Sequence, residues 1–266
     1  MSRIDELFRD LRTAGKKAFM PFITAGDPDL DFTAAVLKEL DARGATMCEV
    51  GIPYSDPIAD GPVIQDSYAR VLDQHIQLDS ILQTLGEVTP QIKAPVVTMV
   101  SYSIVHRRGL EKYVADAKAA GVAGAIVPDM LVEESGALAE ICRREDFSLI
   151  QLITPTTPRD RALKIVEACT GFVYYVSVTG ITGERTELPP SIIENVGWLH
   201  EQTELPICIG FGISQPEHVK MLSPVADGLI VGSAIVKRVA QATQQSREDV
   251  LASVGQYAAE LIDAIE

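Results

Sequence analysis

LEKYVADAKAAGVAGAIVPDMLVEESGALAEICRREDFSLIQLI, residues 110–153, alternates two periodicities. Residues 110–121 and 131–145 carry apolar side chains at i, i+3 and i+4 with charges on the opposite side, the pattern of amphipathic helices. VAGAIVP (122–128) and SLIQLI (148–153) are apolar on successive positions and rich in β-branched residues. Strands of a parallel sheet, covered on both faces, read this way; half-exposed strands alternate instead.

The same two patterns extend in both directions. AFMPFI (18–23), TMCEVGI (46–52) and PVVTMVSY (95–102) lie before the segment, and GFVYYVS (171–177), PICIGF (206–211) and GLIVG (228–232) after it. LDFTAAVLKELDARG (30–44) is another amphipathic stretch; Gly44 and Gly121 mark helix stops, and Pro189-Pro190 opens a helix near Ser191. Eight strands, each followed by helix, predict a closed (β/α)8 barrel in preference to an open doubly wound sheet. The 266 residues suit such a barrel, which needs about 250. Additional helices are expected at 3–14, 62–74, 77–86, 234–242 and 247–264. No linker or low-complexity run divides the chain, so residues 1–266 read as a single domain.

With 37 Asp plus Glu against 23 Lys plus Arg, the formal charge of -14 disfavours nucleic acid and anionic membranes as partners. A phosphorylated substrate would then have to be held by local donors such as backbone N–H groups at a helix start. No apolar run reaches the length of a membrane span, and MSRIDELFRDLRTAGKK at the N-terminus has no signal-peptide core, which predicts a cytoplasmic protein. Cys48, Cys142, Cys169 and Cys208 lack CxxC spacing and read as buried reduced thiols. The histidines at 75, 106, 200 and 218 show no metal-ligand spacing.

Candidate chemistry sits at the C-terminal ends of the strands, where barrels place their catalytic groups. Glu49 lies there in MCEVG, where a carboxylate is either paired for structural reasons or held for proton transfer. The following loop, IPYSDPIADGPVIQ (52–65), holds Asp56 and Asp60. Asp56 reads as a turn residue; a carboxylate of this loop and Glu49 can converge on one pocket, one moving protons and one stabilising positive charge. GFGIS (210–214) follows the seventh strand and VGSAIV (231–236) the eighth, the places where barrels bind phosphate; Gly212, Gly232 and Ser233 are the donors expected. GITGERTELPP (180–190) has the composition of a lid or of a plain mobile loop. Phe22, Tyr102, Tyr174, Phe211 and Ile230 at strand ends are each core-like singly and together suit a flat aromatic ligand.

FMPFITAGDPD (19–29), CEVGIPYSDPIADGPVIQ (48–65), GITGERTELP (180–189), GFGIS (210–214) and DGLIVGSAIVK (227–237) together resemble the tryptophan synthase α-subunit family, in order, over most of the chain. The resemblance weakens in SYSIVHRRG (101–109) beyond Tyr102, and Met130-Leu131 stands where the family has Leu-Pro. It implies cleavage of indole-3-glycerol phosphate to indole and glyceraldehyde 3-phosphate, with Glu49 and Asp60 catalytic. It also implies a phosphate site at Gly183, Phe211, Gly212, Gly232 and Ser233, with Thr182 beside it, and an indole pocket at Phe22, Tyr102, Tyr174 and Ile230. No cofactor or metal is implied in this chain; pyridoxal phosphate is expected only in a partner β subunit, in an αββα complex. The loop edge at Pro53, Tyr54 and Pro57 is the expected contact with that partner. Two alternatives remain: a stand-alone lyase that releases free indole, and a phosphate-binding barrel without turnover. The first is distinguished by acceleration with a β subunit, the second by release of glyceraldehyde 3-phosphate.

Overall fold

The computed structural model describes residues 1–58, 60–177, 190–210 and 212–265. In chain order its elements are α1 (Arg3–Thr13), β1 (Ala18–Thr24), α2 (Leu30–Ala42), β2 (Cys48–Gly51), α3 (Pro62–Asp73), α4 (Leu78–Val88) and β3 (Val96–Met99). Then come α5 (Tyr102–Arg108), α6 (Leu110–Ala119), β4 (Val122–Ile126), α7 (Gly136–Arg144), β5 (Ser148–Ile153), α8 (Arg159–Ala168) and β6 (Val173–Val176). α9 (Pro190–Gln202), β7 (Ile207–Gly210), α10 (Pro216–Leu222), β8 (Gly228–Val231), α11 (Ser233–Val239) and α12 (Arg247–Asp263) follow. The strands close in sequence order, β1 to β8 and back to β1, every pair parallel, so the (β/α)8 expectation holds. Among the described residues no helix is long and apolar enough to cross a membrane.

Continuous apolarity of the strands follows from two separate cores. Residues such as Ile23, Val50, Ala125, Leu149, Tyr175 and Ile209 point outward to the helices. Their neighbours Met20, Phe22, Met47, Val97, Ile150, Tyr174, Cys208 and Ile230 point inward and fill the barrel. α1 closes the N-terminal end: Ile4 is fully buried, and the Phe8 ring packs 5.8 Å from that of Phe172. A capping box between Ser2 and Asp5 starts this helix, and the Ser148 hydroxyl donates to the Ser2 hydroxyl at 2.9 Å. The opposite mouth, at the C-terminal strand ends, carries the strand-to-helix loops, where barrels place their functional groups.

Gly121 ends α6 with φ +74, in the left-handed region, and a Cβ there would lie 2.1 Å from Thr89 Oγ1, so both backbone and packing call for glycine. The four cysteines are buried and free. Three local readings are corrected. The strand expected to run to Tyr102 stops at Met99, because Ser101 accepts from Ser103 N–H and caps α5. The helix expected over 131–145 is a 3-10 turn, Val132–Glu134, followed by α7; the Ser135 hydroxyl donates to the Val132 carbonyl at 2.8 Å and interrupts the helical ladder. The helix expected over 234–242 is α11 followed by a 3-10 turn, Ala240–Thr243.

Candidate active site

Glu49 is placed by strand alternation. Cys48 and Val50 face the helices, so Glu49 faces the interior with Met47, in register with Phe22 on one side and Val97 on the other. It is 1% exposed, and its Oε1 has no hydrogen-bond partner among the described residues. Burial, and secondarily the negative charge of Asp60, push this carboxyl up to about 8, so it holds its proton at neutral pH.

Asp60 reaches the same region from the β2–α3 loop. Its N–H donates to the Pro57 carbonyl at 3.1 Å, and Gln65 Nε2 donates to the carbonyls of Pro57 (3.1 Å) and Asp60 (2.8 Å), tying the loop to the first turn of α3. Burial raises the Asp60 carboxyl to about 6, against the lowering effect of a hydrogen bond donated by the Tyr54 hydroxyl. Two carboxyls in one mouth are thus driven apart by their surroundings: near neutral pH Glu49 is an acid and Asp60 an anion, the pairing that acid–base chemistry requires.

Phe22, Tyr174 and Ile230 belong to the same interior cluster. Gly51 and Gly210 make room for them: a Cβ on Gly51 would lie 2.5 Å from Phe22 Cζ, and one on Gly210 would lie 2.5 Å from the Tyr174 hydroxyl. Gly232 sits over this cluster, its Cβ direction opening toward Phe22 at 3.7 Å. The Gly232 carbonyl accepts from Ile235 and Val236 N–H at 2.8 and 3.1 Å. The Ser233 and Ala234 N–H groups, one turn earlier, therefore have no acceptor within α11. Gly212 has φ +80 and is exposed after β7.

Tyr102 is not part of the interior cluster. It opens α5, half-buried against the outer core, its ring 5.8 Å from that of His106 and its N–H donating to Asp129 Oδ1 at 2.7 Å. Asp129 also accepts from the Ser101 hydroxyl at 2.7 Å and acts electrostatically on Tyr54, so Tyr102 stands at the rim and not on the floor. Asp56 is a solvated turn residue, accepting from the Ser55 hydroxyl at 2.6 Å. Thr182, Gly183 and the rest of the segment 178–189, together with Phe211, lie outside the described residues.

Of the expected contact edge, Pro57 is half-buried. Pro53 is buried and Tyr54 turns inward, its ring 5.6 Å from that of Tyr68, because Tyr54 serves Asp60. In the loops after β2 and β4, Ile58 is 93% exposed and Leu131 53% exposed. Tyr54, Tyr68 and Asp129 were not anticipated as site residues. The signal for Tyr68 was present: it shares with Ile64, Ser67 and Val71 the buried face of the helix that follows Asp60.

The family model described as tryptophan synthase alpha chain matches residues 8–266. The tryptophan synthase alpha chain of Rhodopirellula baltica is 59% identical over 93% of this chain and 90% of that protein. Among solved structures, tryptophan synthase subunit alpha from Legionella pneumophila superposes with a TM-score of 0.91 at 31% identity, covering 100% of this chain and 98% of the other. Tryptophan synthase from M. tuberculosis in an aminoacrylate-bound form gives 0.88 at 26% identity, covering 100% of both. A closed barrel with two carboxyls of unequal proton affinity at its mouth is thus matched along its length, and the chain belongs to the tryptophan synthase alpha chain family, lyases that split indole-3-glycerol phosphate in an aldol-type cleavage.

Proposed function

We propose that Glu49 and Asp60 divide the proton chemistry of this cleavage. The carrying observation is that Glu49 is buried, without a partner at Oε1 among the described residues, and protonated at neutral pH beside an ionised Asp60. Indole leaves poorly as a carbanion, so C3 must first take a proton, which Glu49 supplies. The resulting indolenine is positive at N1, and Asp60 accepts the N1–H hydrogen bond and offsets that charge. The carboxylate of Glu49 then takes the proton of the adjacent side-chain hydroxyl. The carbon–carbon bond breaks, its electrons return to the indole ring, glyceraldehyde 3-phosphate leaves as the aldehyde and Glu49 is again protonated.

Phe22, Tyr174 and Ile230 are proposed to flank the indole, with Tyr102 at the rim. Gly212, Gly232 and Ser233, with Thr182, Gly183 and Phe211, are proposed to hold the phosphate, the Ser233 N–H being the first donor of α11. A cleavage assay across pH tests the carboxyl assignment. Turnover is expected to rise as Asp60 ionises through about 6 and to fall as Glu49 loses its proton through about 8. A flat profile across both values removes the assignment.

The two phosphate glycines give separate tests. At Gly212 any side chain is strained by the positive φ, so loss of binding there is ambiguous. Gly232 has φ -103 and room for a methyl group. Gly232→Ala is therefore expected to fold normally and to weaken binding of glycerol phosphate about tenfold, by keeping the anion off the backbone. Unchanged affinity in a calorimetric titration would misplace the phosphate.

The partner is proposed to be a β subunit carrying pyridoxal phosphate, in an αββα complex, with Ile58 and Leu131 as exposed apolar contacts on the mouth side. Measuring indole formation with and without added β subunit tests this. Acceleration supports the complex, and an unchanged rate supports a lyase that acts alone.

A further inference from the structure

Besides Glu49 Oε1, the barrel mouth contains a second buried polar atom without a partner among the described residues, the hydroxyl of Tyr68. Tyr68 is fully buried on the inner face of α3, and its oxygen would lie 2.6 Å from a Cβ on Gly51. Gly51 is two residues after Glu49 on the same strand, so both face the interior, and a flexible Glu side chain spans the one-step separation. The Tyr54 ring packs on the Tyr68 ring at 5.6 Å, while the Tyr54 hydroxyl is committed to Asp60. Beside these two carboxyls the stacked phenols of Tyr54 and Tyr68 thus differ: one is bonded to a carboxyl, and the other has no partner among the described residues.

Leaving a buried hydroxyl unsatisfied is unfavourable, and a newly ionised carboxylate in an apolar barrel is more so. Each cures the other. We propose that Tyr68 is a positioning residue that donates its hydroxyl hydrogen bond to the Glu49 carboxylate once Glu49 has given its proton to the substrate. The bond holds that carboxylate where it next receives the hydroxyl proton. The groups facing this pair are Asp60 and Tyr54 from the β2–α3 loop and Tyr174 from β6; an ionised Asp60 cannot donate, the Tyr54 hydroxyl is in use, and the Tyr174 hydroxyl lies over Gly210 on β7. The inference rests on Glu49 being the proton donor.

Tyr68→Phe in the full chain removes one oxygen and keeps the ring. Hydrogen bonding favours the charged form of an acid, so its loss raises the Glu49 pKa. Activity that needs protonated Glu49 then persists to higher pH. The expected result is an alkaline limb of the kcat profile displaced upward by about one unit and a kcat lowered about tenfold at the optimum, with KM within about twofold. A limb that superimposes on that of the native chain overturns the proposal, as does a raised KM with unchanged kcat and limb, which marks Tyr68 as packing only. Titrating Glu49 through its 13C-labelled carboxyl, with and without the Tyr68 hydroxyl, gives a readout independent of turnover; an unshifted titration also overturns it. Glu49→Gln assayed in parallel separates the two failures: an active Glu49→Gln removes the proton-donor reading itself. An inactive Glu49→Gln beside an unmoved Tyr68→Phe profile removes only the role of Tyr68.

Discussion

Glu49→Gln is expected to lower lyase turnover about 10²- to 10⁴-fold, the usual contribution of a positioned acid–base group, while the barrel stays folded. Both expectations come from the same burial. Held up at about 8, the native carboxyl is neutral at pH 7, so an amide of the same shape replaces one neutral buried group by another and breaks no ion pair. The change in stability should stay within about 1 kcal/mol. The amide cannot release a proton to indole C3 and cannot take one from the side-chain hydroxyl, so both transfers fail together. Indole release and a thermal melt on the same preparation check the two halves. Turnover within a few fold of the native chain would mean that another acid serves C3. A collapsed melt would mean that Glu49 is structural, with a partner beyond the described residues.

How much of this was legible in the sequence depended on what local pattern can encode. The eight strands were visible because each side of a barrel strand is covered, one by helices and one by the interior, which forces runs such as SLIQLI and PICIGF. Glu49 stood out as the one carboxyl side chain in such a run, and Asp60 through the block it shares with the family. Side-chain direction in loops was not legible. Pro53 and Tyr54 read as a stiff exposed edge, yet Tyr54 turns inward because Asp60, six residues on, needs a donor. Tyr102 read as a strand end because VVTMVSY is apolar throughout; a cap by Ser101 and Asp129, the latter from a different loop, starts a helix there instead. Tyr68 was hidden for the opposite reason. An aromatic residue on the apolar face of a helix is usually core, and only the three-dimensional structure shows its hydroxyl, without a partner among the described residues, beside the strand that carries Glu49.

Arg70→Met is expected to destabilise the fold by about 2–3 kcal/mol, the second large effect. Asp27, at the end of the first barrel strand, has a carboxylate with no exposure, held by two parallel bonds from Arg70: Nε to Oδ1 at 3.0 Å and Nη2 to Oδ2 at 2.6 Å. Met keeps much of the apolar stem of Arg70 but leaves that carboxylate buried without its fork of donors. Breaking a fully buried pair costs about 3–5 kcal/mol. The lower figure applies here because Arg70 is 35% exposed, so water can follow it in and restore part of the lost solvation. The pair also positions the site. With the buried bond between the Thr24 and Ser67 hydroxyls at 2.6 Å, it clamps α3 to β1, and α3 both follows Asp60 and carries Tyr68. Loosening that clamp should lower kcat as well as stability. Urea unfolding of Arg70→Met, Asp27→Asn and the double variant checks the cause: if an orphaned charge is responsible, the double variant is more stable than Arg70→Met alone. If the double variant is instead less stable, by the sum of the two single losses, the damage comes from lost packing. A loss below about 0.5 kcal/mol in Arg70→Met, within the range of an ordinary surface substitution, would show that α3 is held on β1 by the apolar contacts of Tyr68 and Val71 without this ion pair.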